Sequence, residues 1–477
     1  ERGLLRNEER GTRNEKGSGP RPIPRSSFLI PRSSSLSCGA PGWAQAALAK
    51  EASYIVNCSF TEYTQNHGSI RASSDAYGAI NVDRIYQAGP DWVRPGEASM
   101  GAIGLMAGAI RLKSAGADIN RYDGVLDRFF RSWLLAKKQP IDSNKASADY
   151  GGFYQRVYYD TSGKWKRHDP VNAGVTGQMV SAMWKFYEYQ KATGKPQAAG
   201  AWLRQAWPIA RLAGSFLEKS YNPTYQMVRA NAASPDLWVS DSAYAAMAFR
   251  CLDQWAKRAG KERSFDAAGM AANIAAGLQR LKDHGAKKNF LRYRESGNHM
   301  QPTYGDRIDQ ICFLPYEANV IDPGEPFARA ISDWWTQGSD GIQLTYLAAD
   351  SSDWRNFGTR YRYSLSQAAE NNNLYPGPGL QLAKVEWKYA HKTGDAVTLD
   401  RARKRFEWAR SAAYSNLWLG CGNTQEANVP DGLVDWRDAT NYAHKADNWA
   451  RFVDTSAYFI EVTLMLEYGV DTKYVPN

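Results

Sequence analysis

One kind of apolar segment recurs six times along this chain of 477 residues, and this repetition limits the possible folds more than any other feature. Each segment opens with small or acidic residues and is apolar on nearly every helical face, which is typical of a helix surrounded by other helices. Most of them close on a glycine, as in "SAGAD", "ATGK", "RAGK" and "KTGD". The six segments begin at Gly96, Asn172, Ser240, Asp306, Gly377 and Asp454.

Six segments of a second type alternate with the first and have one polar and one apolar face. They cover residues 43–56, 122–138, 202–219, 265–284, 326–338 and 399–418. A two-helix unit repeated six times closes into an all-α (α/α)6 toroid, with six inner helices inside six outer ones. Pro315 lies within the fourth inner segment, so we expect that helix to be kinked.

The connections that lead into the inner helices are long, whereas those that lead out of them are short. The long ones cover residues 61–96, 149–172, 221–240, 286–306, 340–376 and 420–453. In a toroid all six emerge at the same end, and long connections in a compact domain are usually functional. The sequence therefore predicts a working face at the N-terminal ends of the inner helices.

Composition sets the limits of this domain and excludes some partners. Residues 1–37 hold eight basic and four acidic residues with few aromatic ones, which predicts a disordered leader before a single toroid domain over 38–477. Without the leader the net charge is mild, and no basic stripe indicates nucleic acid. No apolar run is long enough to span a membrane. We expect a monomer, with secretion somewhat favoured.

Aromatic residues are dense in the long connections. Flat rings with polar edges suit the faces of sugars, although such rings also pack loops onto a helical core. An oligo- or polysaccharide is therefore the expected partner. The predicted substrate-binding residues are Trp92, Asp169, Trp238, Tyr304, Trp354, Arg360, Tyr363, Trp436 and Asp454.

Two matching motifs place an acid at the start of an inner helix, "SDSAY" at Asp241 and "VDTSAY" at Asp454. Either carboxylate would satisfy free backbone N–H groups there, where the helix dipole favours a negative charge. The alternative is that at least one looks into the axial cavity as a catalytic or sugar-binding group. Aligned on Ser-Ala-Tyr the two acids are offset by one position, so their side chains need not point the same way.

Glycoside hydrolysis needs two carboxyl groups, one protonated and one ionised. The candidates for catalysis are Asp241, Glu295, Asp309 and Asp447. Glu295 lies in "LRYRESGNHMQPTYGD", which we expect to be an irregular polar loop. Its neighbours Arg292 and Arg294, if close to it, would lower its pKa and argue against an acid role, although they could suit an anionic substrate.

The other acids also carry alternatives. Asp309 is expected one turn after Asp306 on the fourth inner helix, so that one caps the helix and the other faces the cavity. Asp447, in "HKADNWARFVD", is either a base or part of a surface turn. Glu317 is expected deep in the fourth inner helix, where a buried carboxylate would need a partner.

Histidines are few, and none forms a spaced metal-binding set. His168, His299 and His444 fall in the long connections without an HExxH pattern. The sequence therefore predicts neither a catalytic metal nor a cofactor.

The six-hairpin pattern from about residue 43 to residue 470 resembles the (α/α)6 glycosidase superfamily and the toroid polysaccharide lyases. "PDLWVSDSAYAAMAF" resembles the helix opening of unsaturated glucuronyl hydrolases, in which an Asp on an inner helix is catalytic. That resemblance implies a catalytic role for Asp241. Fungal endo-β-1,2-glucanases are similar in size and architecture, but no catalytic pair is carried over from them.

These features favour a glycoside hydrolase that acts on an oligo- or polysaccharide, with inversion. Inversion requires carboxyl groups about 6.5 to 9.5 Å apart, and retention about 5 to 5.5 Å. A polysaccharide lyase that uses Asn298, His299 and Tyr304 on a uronate is one alternative. A sugar-binding toroid without catalysis is another.

Overall fold

The structure is a computed structural model, and it describes residues 42–61, 72–81, 91–160, 164–261, 265–283, 290–291, 294–296, 307–309, 313–337, 357, 359, 362–364, 373–374, 376–414, 437–438 and 453–476. The predicted leader lies outside these residues. None of the helices in the described part is both long and apolar enough to cross a bilayer.

Helices of the two predicted types alternate along the described chain. The outer helices are α1 (Gly42–Asn57), α3 (Asn120–Asp127), α5 (Pro196–Ser220), α7 (Ala267–Gln279), α9 (Pro326–Gln337) and α11 (Ala396–Tyr414). The inner helices are α2 (Pro95–Ser114), α4 (Ala173–Ala192), α6 (Val239–Ala259), α8 (Leu314–Glu317), α10 (Pro376–Thr393) and α12 (Val453–Tyr468). Helix α3 continues as a π-helix over Arg128–Ala136, where the sequence predicts a single α-helix.

The inner helices form a closed ring. Each packs against the next in chain order, and α12 packs against α2 to complete the circle. The outer helices pack on this ring, α1 against α2 and α12, α5 against α4 and α6, and α11 against α10 and α12. The predicted (α/α)6 toroid is confirmed.

Small residues let neighbouring inner helices approach closely. A Cβ atom added to Gly104 would lie 2.4 Å from the Cβ of Ala457, where α2 meets α12. One added to Gly177 would lie 2.3 Å from the carbonyl oxygen of Tyr244, where α4 meets α6. The glycine at the end of α6, Gly260, has φ 60 and its N–H bonds the carbonyl of Ala256, as the sequence pattern predicts.

The connections into the inner helices contain short antiparallel strands. They are β1 (Asp91–Val93), β2 (Phe153–Tyr154), β3 (Val157–Tyr159), β4 (Trp165–His168), β5 (Val171–Asn172), β6 (Tyr221–Asn222), β7 (Met227–Val228), β8 (Asp236–Trp238), β9 (Lys282–Asp283), β10 (Phe290–Leu291), β11 (Arg294–Ser296), β12 (Arg307–Asp309), β13 (Arg362–Ser364), β14 (Asn373–Leu374) and β15 (Arg437–Asp438). Strands β1, β3 and β4 form one sheet, and the others pair as β2–β5, β6–β7, β8–β11, β9–β10, β12–β13 and β14–β15.

The fourth inner helix differs from its prediction. Residues 307–309 form β12, and α8 has only four residues. Pro315 stands in the first turn of α8, where a missing N–H costs no hydrogen bond, so it starts the helix instead of kinking it. Asn319, with φ 57, turns the chain into the left-handed region directly after the helix. Asp309 is therefore a strand residue and not one turn from Asp306 on a helix.

Charged side chains from both neighbours hold this short helix in the ring. Lys384 of α10 donates to Glu317 at 2.8 Å, and both side chains are fully buried. Lys388, one turn later, donates to the carbonyl oxygen of Glu317 at 2.6 Å. From α6, Arg250 donates to the carbonyl oxygen of Val320 at 3.0 Å. The partner that the sequence required for a buried Glu317 is thus Lys384.

Lys384 also joins α12 to the cluster. Its ammonium group donates to Glu461 and to Tyr474, and Tyr474 donates to Glu461 at 2.8 Å. Burial acts to lower the pKa of Lys384, but the charges of Glu317 and Glu461 outweigh it and the pKa is raised. Burial raises the pKa of Glu461, although the charge of Lys384 acts to lower it. The cluster of Glu317, Lys384, Glu461 and Tyr474, called the lysine clamp below, therefore holds a protonated Lys384 between two buried carboxyl groups.

Glycine-to-alanine substitution should destabilise the chain at the close helix contacts and stabilise it at an open helix position. Gly104→Ala and Gly177→Ala should each lower the free energy of unfolding by about 1 to 3 kcal/mol, because the new methyl group forces two helices apart. Gly200→Ala in α5 is the control, since its nearest neighbour would be Arg204 Nη1 at 3.8 Å. Gly200→Ala should stabilise by up to about 1 kcal/mol. Urea denaturation measures all three, and equal effects would contradict the packing.

The lysine clamp predicts a large loss of stability when its cation is removed. Lys384→Met should lower the free energy of unfolding by about 3 to 5 kcal/mol, because the two buried carboxyl groups lose their cation and keep only the hydrogen bonds of Gln381 and Tyr474. The control is Lys392→Met on the same helix, since Lys392 forms an exposed pair with Asp322 at 2.6 Å. That variant should change stability by less than about 1 kcal/mol. Adding Glu461→Gln to Lys384→Met should restore part of the loss; no restoration would argue against the clamp.

Candidate functional site

Polar residues stand at the starts of four consecutive inner helices of the ring. They are Arg94 and Glu97 at α2, Asn172 at α4, Asp241 at α6 and Asp454 at α12. We call these five residues the helix-opening site. It lies at the end of the toroid that the sequence predicts to be the working face.

Asp241 does not cap its own helix. Helix α6 begins after Trp238, which makes no side-chain capping bond, and Asp241 is the third residue of the helix. Its carboxyl group instead accepts hydrogen bonds from the backbone N–H of Gly174 and from Asn172 Nδ2 at 3.4 Å. A Cβ at Gly174 would lie 2.4 Å from Asp241 Oδ1, so only glycine permits this approach.

Burial changes the acidity of Asp241. The residue is 6% exposed. Burial raises the pKa of its carboxyl group to about 7, although the hydrogen bonds from Asn172 and Gly174 act to lower it. Asp241 can therefore hold or release a proton at neutral pH.

Asp454 is half-buried, and its bonds differ from those of Asp241. It is the second residue of α12, and its Oδ1 accepts the N–H of Thr455 at 3.0 Å, so it does serve the amides of its own helix. Burial and then the charge of Glu97 raise the pKa of Asp454 to about 7, against the lowering effects of the backbone bonds and of Arg94. Glu97 itself pairs with Arg94, with Nη1 and Oε1 3.0 Å apart.

Two tyrosines lie one helical turn below these acids. Tyr244 follows Asp241 on α6 and Tyr458 follows Asp454 on α12, and both are buried. Burial raises the pKa of both phenols well above the ordinary value, and the charge of Asp454 adds to this. Both phenols therefore keep their protons at neutral pH. Glu317 of the lysine clamp acts on both, so the site continues into the clamp.

Asp169 and Trp238 are the other predicted site residues whose side chains the structure describes. Asp169 forms an ion pair with Arg156, with Oδ2 and Nε 3.3 Å apart, in the connection before α4. Trp238 is partly buried at the start of α6. Neither is tested as a sugar contact, and both stay predictions.

Some loop aromatic residues belong to the core. Phe153 and Tyr159 are fully buried, and the Trp133 indole donates to the Tyr159 hydroxyl at 2.7 Å. Tyr154 and Trp165, by contrast, are partly exposed and gather around His168 with ring centroids 3.7 and 5.3 Å from it. The packing interpretation thus applies to the first two rings.

Several predicted residues are described by their backbone alone. Glu295 lies in β11 opposite Leu237 of β8, so residues 294–296 of the segment expected to be an irregular loop form a short strand beside the start of α6. Asp309 lies opposite Arg362, in the strand pair that also contains Tyr363. Trp92 of β1 is the fourth such residue. The predictions that lie outside the described residues are Tyr304, Trp354, Arg360, Trp436 and Asp447.

Glu97, Arg94 and Asn172 are not among the residues predicted from the sequence. A signal was present, because Glu97 and Asn172 open the first and second inner segments in the positions that Asp241 and Asp454 take in theirs. Among the described residues, no group of three or more His, Cys, Asp or Glu side chains is arranged to hold a metal ion.

Solved structures with the same architecture include carbohydrate enzymes. The chain is similar to Hormoconis resinae glucoamylase (TM-score 0.59, 9% identity, covering 91% of this chain and 75% of that one). It is also similar to a D-mannose isomerase (0.57, 11%, 90% and 97%). A third is a GH63 mannosylglycerate hydrolase from Thermus thermophilus in complex with glucose (0.54, 12%, 89% and 100%). No protein-family model and no curated protein sequence matches the chain.

At these identities the comparisons establish the fold. The resemblance to the (α/α)6 six-hairpin superfamily is therefore confirmed for the architecture of the chain.

The raised pKa of Asp241 predicts that stability depends on pH. Its folded-state pKa, about 7, exceeds the unfolded value of about 3.9, so the native state binds more protons between these values. Stability should be greatest below about pH 4 for this group and fall as pH rises to about 7, by on the order of 4 kcal/mol. Asp241→Asn imitates the protonated carboxyl and should remove that slope.

The control for this prediction is Asp253→Asn. Asp253 lies nearer the C-terminal end of α6 and pairs with Lys257 at 2.6 Å. Urea denaturation at a series of pH values should give the control the same slope as the native chain. Parallel curves for the native chain and Asp241→Asn would contradict the raised pKa.

Proposed function

We propose that this chain is a glycoside hydrolase that cleaves an oligo- or polysaccharide at the helix-opening site. The observation that carries the proposal is the pair of inner-helix carboxyl groups, Asp241 and Asp454, whose pKa values are raised to about 7. Hydrolysis of a glycosidic bond needs a carboxylic acid that can protonate the leaving oxygen near neutral pH and a second, ionised carboxylate.

Asp454 is the proposed general acid. It is half-buried, and the neighbouring Glu97 charge favours the form that carries a proton. Proton donation would leave a carboxylate that the N–H of Thr455 already serves, which lowers the cost of the charged form. Asp241 is the proposed base, since its Oδ1 and Oδ2 are held by Gly174 and Asn172 while its proton leaves near neutral pH.

The order of the ring supports inversion. Helices α12, α2, α4 and α6 are consecutive neighbours, so Asp454 and Asp241 belong to opposite members of a ring of six. Neighbouring helices pack 8 to 10 Å apart, which sets opposite axes about 18 Å apart. Two side chains that reach toward the axis from opposite helices would leave roughly 8 Å between their carboxyl groups, within the range for inversion. Asp241 would have to turn from Asn172 and Gly174 toward the axis to reach that geometry.

The remaining sequence predictions complete the proposal. Glu295 and Asp309 stand in strands at the same loops, and Asp447 stays a candidate base. The predicted aromatic and polar contacts, Trp92, Asp169, Trp238, Tyr304, Trp354, Arg360, Tyr363 and Trp436, would hold sugar units beyond the cleaved bond.

A second candidate function is sugar isomerisation. The fold is shared with a D-mannose isomerase. A carboxyl group with a pKa near 7, such as that of Asp241, can also remove a proton next to a carbonyl group. The products separate the two functions, because an isomerase changes a monosaccharide and leaves glycosidic bonds intact.

A panel of polysaccharides and monosaccharides with product sizing tests the proposal. Hydrolysis should give shorter saccharides without ultraviolet absorbance, and proton NMR should show that the first product has the inverted anomeric configuration. Absorbing unsaturated uronides would indicate a lyase, interconverted monosaccharides an isomerase, and an unchanged panel a binding protein. Each of these three outcomes would reject hydrolysis.

On a cleaved substrate, Asp454→Asn and Asp241→Asn should each lower kcat about a hundredfold or more, because each removes a proton-transfer group. Glu97→Gln should lower the pH at which activity is lost on the alkaline side, since its charge raises the pKa of Asp454. Asp253→Asn on α6 is the matched control and should keep full activity. Full activity in both Asp241→Asn and Asp454→Asn would reject these roles. Glu295, Asp309 and Asp447 would then be the remaining candidates for the catalytic acid and base.

A further inference from the structure

A cavity lies at the C-terminal end of the inner helices, opposite the helix-opening site. It has a volume of about 780 Å³ and is bounded by the C-terminal halves of α2, α4 and α12 and by residues 470–473. On α2 the site residue Glu97 and the cavity residue Arg111 are fourteen positions apart, which is about 21 Å along a helix. The cavity is therefore separate from the helix-opening site. Its size is typical of small-molecule sites.

Most of the cavity wall is apolar. Ile103, Met106 and Ile110 line it from one face of α2, and Leu464 lines it from α12. Trp184 of α4 adds an aromatic surface. A ligand that fills this volume needs an apolar body, because the transfer of apolar surface from water to an apolar wall is favourable.

Three polar atoms in residues of this wall are buried and have no hydrogen-bond partner among the described residues. They are Arg111 Nε, Asp471 Oδ1 and Thr472 Oγ1. A buried polar group without a partner costs about 1 to 3 kcal/mol, so native structures rarely keep several together. Because water does not reach these three atoms, a ligand in the cavity would contact other atoms of the same side chains.

The charges around the cavity are mainly positive. Its two acids have cationic partners, Glu188 with Lys185 at 2.6 Å and Asp471 with Lys388 at 3.7 Å. Three further basic residues of the wall form no ion pair within the described part of the chain, and they are Arg111, Lys191 and Arg258. The guanidinium carbon of Arg111 lies over the Tyr468 ring, 4.1 Å from its centroid.

We propose that this cavity binds a small organic anion with an apolar body, of the class of medium-chain carboxylates. The carboxylate would pair with the guanidinium group of Arg111, and the chain would lie along Met106, Ile110 and Leu464. Lys191 and Arg258 add a long-range attraction that a neutral ligand of the same shape does not feel.

Calorimetric titration with decanoate tests the proposal. Decanoate should bind saturably with one site per chain and raise the melting temperature, because it binds the native state. Decanol, which has the same chain without charge, should bind at least tenfold more weakly, and decyltrimethylammonium should not compete. No saturable binding of decanoate, or equal binding of decanol, would overturn the proposal.

Two substitutions locate the binding. Arg111→Gln should weaken decanoate at least tenfold by removing the charged donor at a half-buried position. Ala107→Trp, whose side chain would enter the cavity from α2, should abolish saturable binding. Arg204→Gln, an exposed arginine on α5, is the control and should bind decanoate like the native chain. Circular dichroism verifies folding, and unchanged binding in a folded Arg111→Gln chain would place the anion elsewhere.

Discussion

The closed ring depends on one buried cation. Lys384 lies between Glu317 and Glu461, so a single ammonium group joins α8, α10 and α12 in the interior of the toroid. The other inner helices meet through apolar side chains and glycines over several turns, whereas α8 has only four residues. Its buried Leu314 and Tyr316 pack in the core, and charge adds to this packing. Buried charges are costly unless every one is paired, and Tyr474 supplies the additional hydrogen bonds that make the arrangement tolerable.

This clamp also shapes the site above it. Tyr244 and Tyr458 stand between the clamp and the helix openings, and the charge of Glu317 acts on both phenols. The interior of the ring therefore holds carboxyl groups at two levels, with buried phenols between them. The two phenols hold their protons at neutral pH, whereas the two aspartates have pKa values of about 7 and can hold or release theirs.

Much of the fold follows from local sequence, whereas the exceptions depend on long-range contacts. The apolar segments that end on a glycine predict five inner helices correctly, because the apolar period and the terminating glycine both lie within each segment. The prediction of the fourth inner helix is wrong because a helical period in the sequence does not reveal long-range pairing partners. Residues 307–309 pair as a strand with residues 362–364, and Pro315 and Asn319 limit α8 to a short helix. The short strand at Glu295 could not be predicted for the same reason, since its pairing partner is almost sixty residues earlier.

The same limit applies to the site. A motif can show that Asp241 and Asp454 stand at helix starts, but it cannot show that Asp241 bonds a neighbouring helix or that Glu97 lies near Asp454. Magnitudes decide what those positions mean. A helix N-terminus stabilises a carboxylate by about 0.3 to 1 kcal/mol, which lowers its pKa by less than one unit. Burial raises the pKa of each acid from 3.8 to about 7, a larger effect of opposite sign. An acid placed only to cap a helix would stay exposed and ionised, so the burial of these two, and not their position in the helix, is what separates them from ordinary caps.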